Sequence, residues 1–202
     1  MRAGDADGGE AELASPGANV AREPLQIGLL QRGGDGHRKI PARGRTIIEA
    51  AHRHLSDPAA TIAAGAALAG GLRGGMIVTL SGELGAGKTT LVRGMLRGLG
   101  WQGPVKSPSY ALVEQYEFPS LYFYHFDFYR LERSDEWDGA GFAEYFRLDS
   151  VAVIEWPERV AARLPEADVA ATLSLAEPGR RIELRAQTAA GEACLDAFAG
   201  NR

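Results

Sequence analysis

The chain has one cysteine, Cys194, so it can build neither a disulfide framework nor a cysteine-based metal site. Asparagine occurs only at positions 19 and 201, which excludes the Asn-Lys-x-Asp segment that reads guanine in GTPases. No apolar run approaches the roughly 18 residues that cross a bilayer, so no membrane partner is expected. No apolar stretch follows the first residues, and Asp5, Asp7, Glu10 and Glu12 argue against a secretory or transit peptide. These absences favour a soluble, cytoplasmic protein. The net charge is −4, with 26 acidic against 22 basic side chains, so overall electrostatics do not draw the chain to nucleic acid. Action on RNA is expected to run through a partner protein.

At 202 residues the chain allows one sizeable domain with an appendage. Residues 1–45 are rich in Gly, Asp, Glu and Arg, carry Pro16, Pro24 and Pro41, and hold one short apolar patch at 25–30. They read as a disordered tail, leaving 46–202 as a single domain.

Lysine is scarce too: Lys39, Lys88 and Lys106 stand against 19 arginines. Lys88 closes Gly82-Glu83-Leu84-Gly85-Ala86-Gly87-Lys88-Thr89-Thr90, which fits the P-loop pattern G-x-x-x-x-G-K-[ST]. The apolar, β-branched stretch 76–80 before it reads as a buried strand, and 89–99 after it as a helix with Leu91, Val92, Met95, Leu96 and Leu99 inward. Strand, glycine turn and helix in that order point backbone N–H groups at a phosphate, at the positive end of the helix. Lys88 would reach the β- and γ-phosphates, and Thr89 would give its hydroxyl to Mg²⁺. A compact ammonium suits a phosphate-wrapping loop where a planar guanidinium does not.

Ser56-Asp57-Pro58 marks the start of a helix closed by Gly74-Gly75, with Ile62, Ala66, Ala69 and Leu72 on one face, packed ahead of the first strand. Arg93 and Arg97 read as a solvated helix face. Residues 101–109 form a loop whose Lys106, Ser107 and Ser109 could sense a γ-phosphate; the alternative is an ordinary polar loop. Strands at 110–116 and 121–127, joined by four residues including Pro119, read as an antiparallel hairpin. The second ends in Asp127, a candidate to bind Mg²⁺ through water or to orient attacking water, or else an N-cap or ion-pair partner of Arg130. His125 shares its strand face and is read as structural. Ser134 caps an acidic helix over 135–146 containing Trp137, Phe142, Tyr145 and Phe146. The apolar strand 151–154 delivers Glu155, in a Walker-B-like arrangement, as the better Mg²⁺ candidate, followed by Trp156 as packing anchor or site wall. Strands at 169–175 and 181–186 and a helix at 192–199 complete the domain. The fold class is α/β, a P-loop NTPase-type three-layer fold whose mixed sheet includes an antiparallel hairpin and is flanked by helices.

Four stretches together resemble the bacterial TsaE (YjeE) ATPases of tRNA threonylcarbamoyladenosine biosynthesis. They are residues 81–90, Val105-Lys106-Ser107-Pro108-Ser109-Tyr110 and the four residues after it, His125-Phe126-Asp127-Phe128-Tyr129-Arg130-Leu131, and Ile154-Glu155-Trp156-Pro157-Glu158. The resemblance spans about 58–186; Glu83 stands where the family usually has Asp, and Ser109 where Thr is common. It implies an ATPase that works with the TsaB and TsaD proteins, meets tRNA only through that complex, and does not itself transfer the threonylcarbamoyl group. By position it implies that Gly85, Ala86, Gly87, Lys88, Thr89 and Thr90 hold ATP, Thr89 and Glu155 hold Mg²⁺, Asp127 assists hydrolysis and Trp156 borders the site. Thr61 and Arg180 match family residues near the base. Two other readings remain at this point: a small P-loop kinase, against which stands the lack of a lid-like insertion, and a nucleotide-dependent binding module with negligible turnover.

Overall fold

The computed structural model describes residues 49–132 and 136–200; the tail read over 1–45 and the helix cap read at Ser134 lie outside the described residues. Among these, β1 (Glu49–Leu55), α1 (Pro58–Ala69), β2 (Ile77–Ser81), α2 (Lys88–Gly98), β3 (Val113–Phe118) and β4 (Leu121–Asp127) come first. The short α3 (Glu136–Gly139), β5 (Ser150–Glu155), β6 (Val169–Leu175), β7 (Arg180–Ala186) and α4 (Ala189–Gly200) follow. The strands form one sheet in the order β1-β7-β6-β2-β5-β4-β3. Its centre is parallel (β6, β2, β5, β4), while β3 at one edge, and β7 and then β1 at the other, run antiparallel to their neighbours.

Burial explains this arrangement. Every residue of β5 is buried, as an apolar strand covered on both faces must be. One face of the sheet packs Val78, Leu80, Val151 and Val153 with Leu68 of α1, Leu91 and Met95 of α2, and Leu195 and Phe198 of α4. The opposite face packs Tyr124, Phe126, Ala152 and Ile154 under Phe128, Trp137 and Phe142.

α1 begins where expected. The Asp57 carboxylate accepts the Ala60 N–H at 2.7 Å, and Pro58 takes the first helical position. α1 and α2 approach so closely that a Cβ on Gly94 would stand 2.2 Å from the Ile62 carbonyl oxygen, and one on Gly65 2.2 Å from that of Leu91.

Several expectations need correction. β1 precedes α1, so α1 does not lead into the first strand. The strand escapes hydrophobic patterning because its central residues are His52, Arg53 and His54, as an edge strand tolerates. The buried residues of α1 include Thr61, Ala64, Gly65 and Leu68, whereas Ile62 and Ala66 are half-buried; an alanine-rich helix has little contrast between its faces. Residues 110–112 are not strand: Leu112 takes φ 63° and donates its N–H to the Pro108 carbonyl at 2.6 Å, which delays β3 to Val113. The helix read over 135–146 is two pieces, α3 and a 3-10 turn at Phe142–Tyr145, separated at Gly141 with φ 68°. Arg93 and Arg97 are not a solvated face. They donate to the Val105 carbonyl (3.2 Å) and the Gly103 carbonyl (2.9 Å), tying the loop after α2 to its helix.

Candidate functional site

The C-terminal ends of β2, β4 and β5 and the start of α2 surround an open cleft of about 510 Å³. This is where a parallel sheet exposes helix N-termini and strand-end carboxylates together. The loop from Gly82 to Gly87 is shaped by its glycines. Gly87 caps α2 with φ 104°, and at Gly82 a Cβ would stand 2.2 Å from the Leu173 carbonyl oxygen.

Lys88 lies almost wholly buried at the first turn of α2, its ammonium donating to the carbonyls of Gly82 (2.7 Å) and Glu83 (2.9 Å). It also sits 4.0 Å from the centre of the Trp156 ring. Trp156 follows β5 with φ 59°, a conformation that costs a bulky residue on the order of 1 kcal/mol or more. The turn puts the indole beside the glycine-rich loop instead of continuing the strand. Tyr129 meets the same indole with ring centres 5.1 Å apart.

The two carboxylates stand side by side on one face of the sheet, Asp127 of β4 in register with Glu155 of β5. Asp127 accepts the Tyr129 N–H at 3.0 Å and the Ser107 hydroxyl, so its partners are not Arg130. Ser107 therefore joins the 101–109 loop to the site, and Ser109 lines the cleft beside it, while Lys106 does not. Glu155 Oε1 accepts both the Thr89 hydroxyl and His125 Nε2–H, each at 2.8 Å.

Burial pushes the Lys88 ammonium below the ordinary lysine value of 10.5, with Glu155, Asp127 and Glu158 opposing the shift. A lysine depressed on folding binds fewer protons than in the unfolded chain as pH rises toward 10.5, so its burial cost is full at lower pH and relieved in that window. We expect the nucleotide-free protein to gain stability relative to Lys88→Met as pH climbs through that window. Parallel thermal melts of the two proteins check this; a difference independent of pH would contradict it.

Gly85, Gly87, Lys88, Thr89, Thr90, Asp127, Glu155 and Trp156 all line the cleft. Ala86, within the loop, is fully buried and does not line the cleft, and Thr61 is fully buried on α1. Arg180 donates to the Thr61 hydroxyl at 3.2 Å and lies against Gly87, where a Cβ would be 3.3 Å from its side chain. Neither Thr61 nor Arg180 lines the cleft. Leu84 and Tyr129 line it without having been read as site residues, and so does Arg130, read only as an ion-pair partner of Asp127 or an arginine that a kinase could recruit. The signal for the last two was their place directly after Asp127 at a strand end.

Among the described residues no group of three or more His, Cys, Asp or Glu side chains could hold a metal alone. Mg²⁺ with a nucleotide does not require one, since phosphate and water fill most of its octahedron. Thr89 and Glu155, bonded to each other at the cleft, supply a hydroxyl and a carboxylate, the hard oxygen donors that suit such an ion.

The family model for threonylcarbamoyl adenosine biosynthesis protein TsaE matches residues 55–182. The chain belongs to the TsaE family. A Haemophilus influenzae protein named tRNA threonylcarbamoyladenosine biosynthesis protein TsaE is 49% identical over 123 residues, 61% of this chain and 78% of its own length. A Nostoc protein of the same name is 32% identical over 144 residues, 67% of this chain and 85% of its own. The crystal structure of Bacillus subtilis YdiB superposes with a TM-score of 0.65 at 26% identity, covering 75% of this chain and 95% of YdiB. The TsaE match includes the glycine-rich loop, both carboxylates and Trp156, and no helix among the described residues is long and apolar enough to cross a membrane.

Proposed function

We propose that this TsaE-family protein is an ATP hydrolase that supports formation of threonylcarbamoyladenosine beside the anticodon of tRNA, acting in the cytoplasm with TsaB and TsaD. It reaches tRNA through that complex and leaves the threonylcarbamoyl transfer to its partners. Residues 46–202 form the ATPase domain. The observation that carries the reading is the convergence of Lys88, Thr89, Asp127 and Glu155 on one cleft beside a glycine-rich loop.

In this reading the N–H groups at the start of α2 bind the phosphates, and Lys88 exchanges the Gly82 and Glu83 carbonyls for phosphate oxygens. Thr89 and Glu155 would hold Mg²⁺, which supplies charge neutralisation for the phosphate oxygens. Asp127 orients the attacking water, and Trp156 walls the cleft against solvent. Ser107, bonded to Asp127, couples the 101–109 loop to the state of that carboxylate.

The deciding experiment is ATP turnover by the purified protein, alone and with TsaB, TsaD and tRNA. A slow rate that rises with the partners supports the reading. A rate indifferent to them returns the protein to the kinase class and a search for a phosphate acceptor. Asp127→Ala and Glu155→Ala are each expected to lower kcat by about a hundredfold or more, with Mg²⁺ dependence weakened in the second. Normal turnover in both would eliminate the assigned roles.

A further inference from the structure

His125 lies at the base of the cleft but does not line it, and its side chain is completely buried. An imidazole in a strand interior is a costly choice where Leu or Val would pack, unless its hydrogen bond has a use. That bond goes to Glu155: Nε2 stands 2.8 Å from Oε1, while Nδ1 has no hydrogen-bond partner among the described residues. A ring retained to brace backbone would use its nitrogens on backbone; this one spends its single bond on the carboxylate assigned to the cation.

We propose that His125 is a positioning residue that holds the Glu155 carboxylate in its cation-ready orientation. The inference rests on the ATP-hydrolysing reading above. In the β4–β5 register Asp127 pairs with Glu155, and His125 pairs with Val153, one pleat further from the cleft on the same sheet face. The imidazole therefore reaches Glu155 from below, outside the lining of the cleft. Glutamate has three side-chain torsions and would otherwise lose rotamer freedom each time the ion binds. Oε1 has a second donor in Thr89, but that residue is itself a ligand and stands on the helix turn facing the phosphates. The donor that stands apart from the proposed ligand set is the one on β4. Such supporting hydrogen bonds set metal affinity without touching the metal.

The test compares ATP binding by calorimetry in wild type, His125→Leu and His125→Gln, across a Mg²⁺ titration and in EDTA. His125→Leu is expected to raise the Mg²⁺ concentration for half-maximal binding about tenfold or more, with affinity in EDTA unchanged within about twofold. His125→Gln keeps an N–H donor and is expected to recover most of the loss. Wild-type Mg²⁺ dependence in His125→Leu, or equal losses with and without Mg²⁺, overturns the inference alone. A wild-type protein that binds no ATP overturns the ATPase reading and this inference with it. If the variants do not fold, the imidazole N–H spectrum of the wild type decides. A slowly exchanging Nε2–H signal from His125 that is lost in Glu155→Ala supports the proposal; no such signal, or one indifferent to that substitution, overturns it.

Discussion

Lys88→Ala is expected to lower ATP affinity by at least about a hundredfold, close to 3 kcal/mol, while leaving a folded protein. A hydrogen bond to a charged group contributes roughly 1.5–3 kcal/mol, and the ammonium would make more than one to phosphate. In the structure the same ammonium is shared between two loop carbonyls and the Trp156 face, so it is already held at the cleft. Lys88→Arg should not restore binding, because the guanidinium fork is too broad for a site closed by Gly82, Glu83 and Trp156. Calorimetric titration with ATP and Mg²⁺ measures the loss, with a thermal melt as control for folding. Unchanged affinity in Lys88→Ala would move the phosphate site elsewhere.

Gly94→Ala, the addition of one methyl group, is expected to destabilise the protein by about 3 kcal/mol, a fall of roughly 10 °C in Tm for a chain of this size. In an exposed helix the same change would stabilise by about 1 kcal/mol, because alanine favours helix. Here the new Cβ would lie 2.2 Å from the Ile62 carbonyl oxygen, and backbone cannot move aside as a side-chain tip can. α1 and α2 must separate, and α2 carries Lys88 and Thr89 at its start. Weaker ATP binding should therefore accompany the lower melting temperature. Gly139, whose Cβ position meets nothing within 4 Å, is the control: Gly139→Ala should change Tm little. A Gly94→Ala protein that melts with wild type would show that the two helices part at little cost.

The central sheet was legible in the sequence because its strands are nearly all apolar. Residues 76–80 and 151–154 read as buried strands and are β2 and β5, each within one or two residues. The hairpin turn at Pro119 was equally visible, and β4 was read over its full length. β1 was not legible, since two histidines and an arginine in seven residues resemble loop; only pairing with β7 reveals the strand. In the site, Lys88, Thr89, Asp127 and Glu155 were marked by position at strand ends and in a known loop. The bonds among them could not be read that way. The Ser107–Asp127 contact spans twenty positions and depends on how the loop after α2 folds back, while the His125–Glu155 contact spans thirty and depends on sheet register. His125, read as structural, proved to be the buried hydrogen-bond partner of Glu155.

The strand order has a consequence for how the chain acquires its site. β2, which leads into the glycine-rich loop, has β5 and β6 as its sheet neighbours, and both are synthesised long after it. Its ladder partners are all distant in sequence, and the α1–α2 pair, whose sequence is complete by residue 98, has at that point no sheet on which to lie. On a growing chain the loop sequence is complete well before any surface exists to give it shape. If the domain binds nucleotide as proposed, the ligand is therefore expected to stabilise the finished domain rather than to seed its assembly.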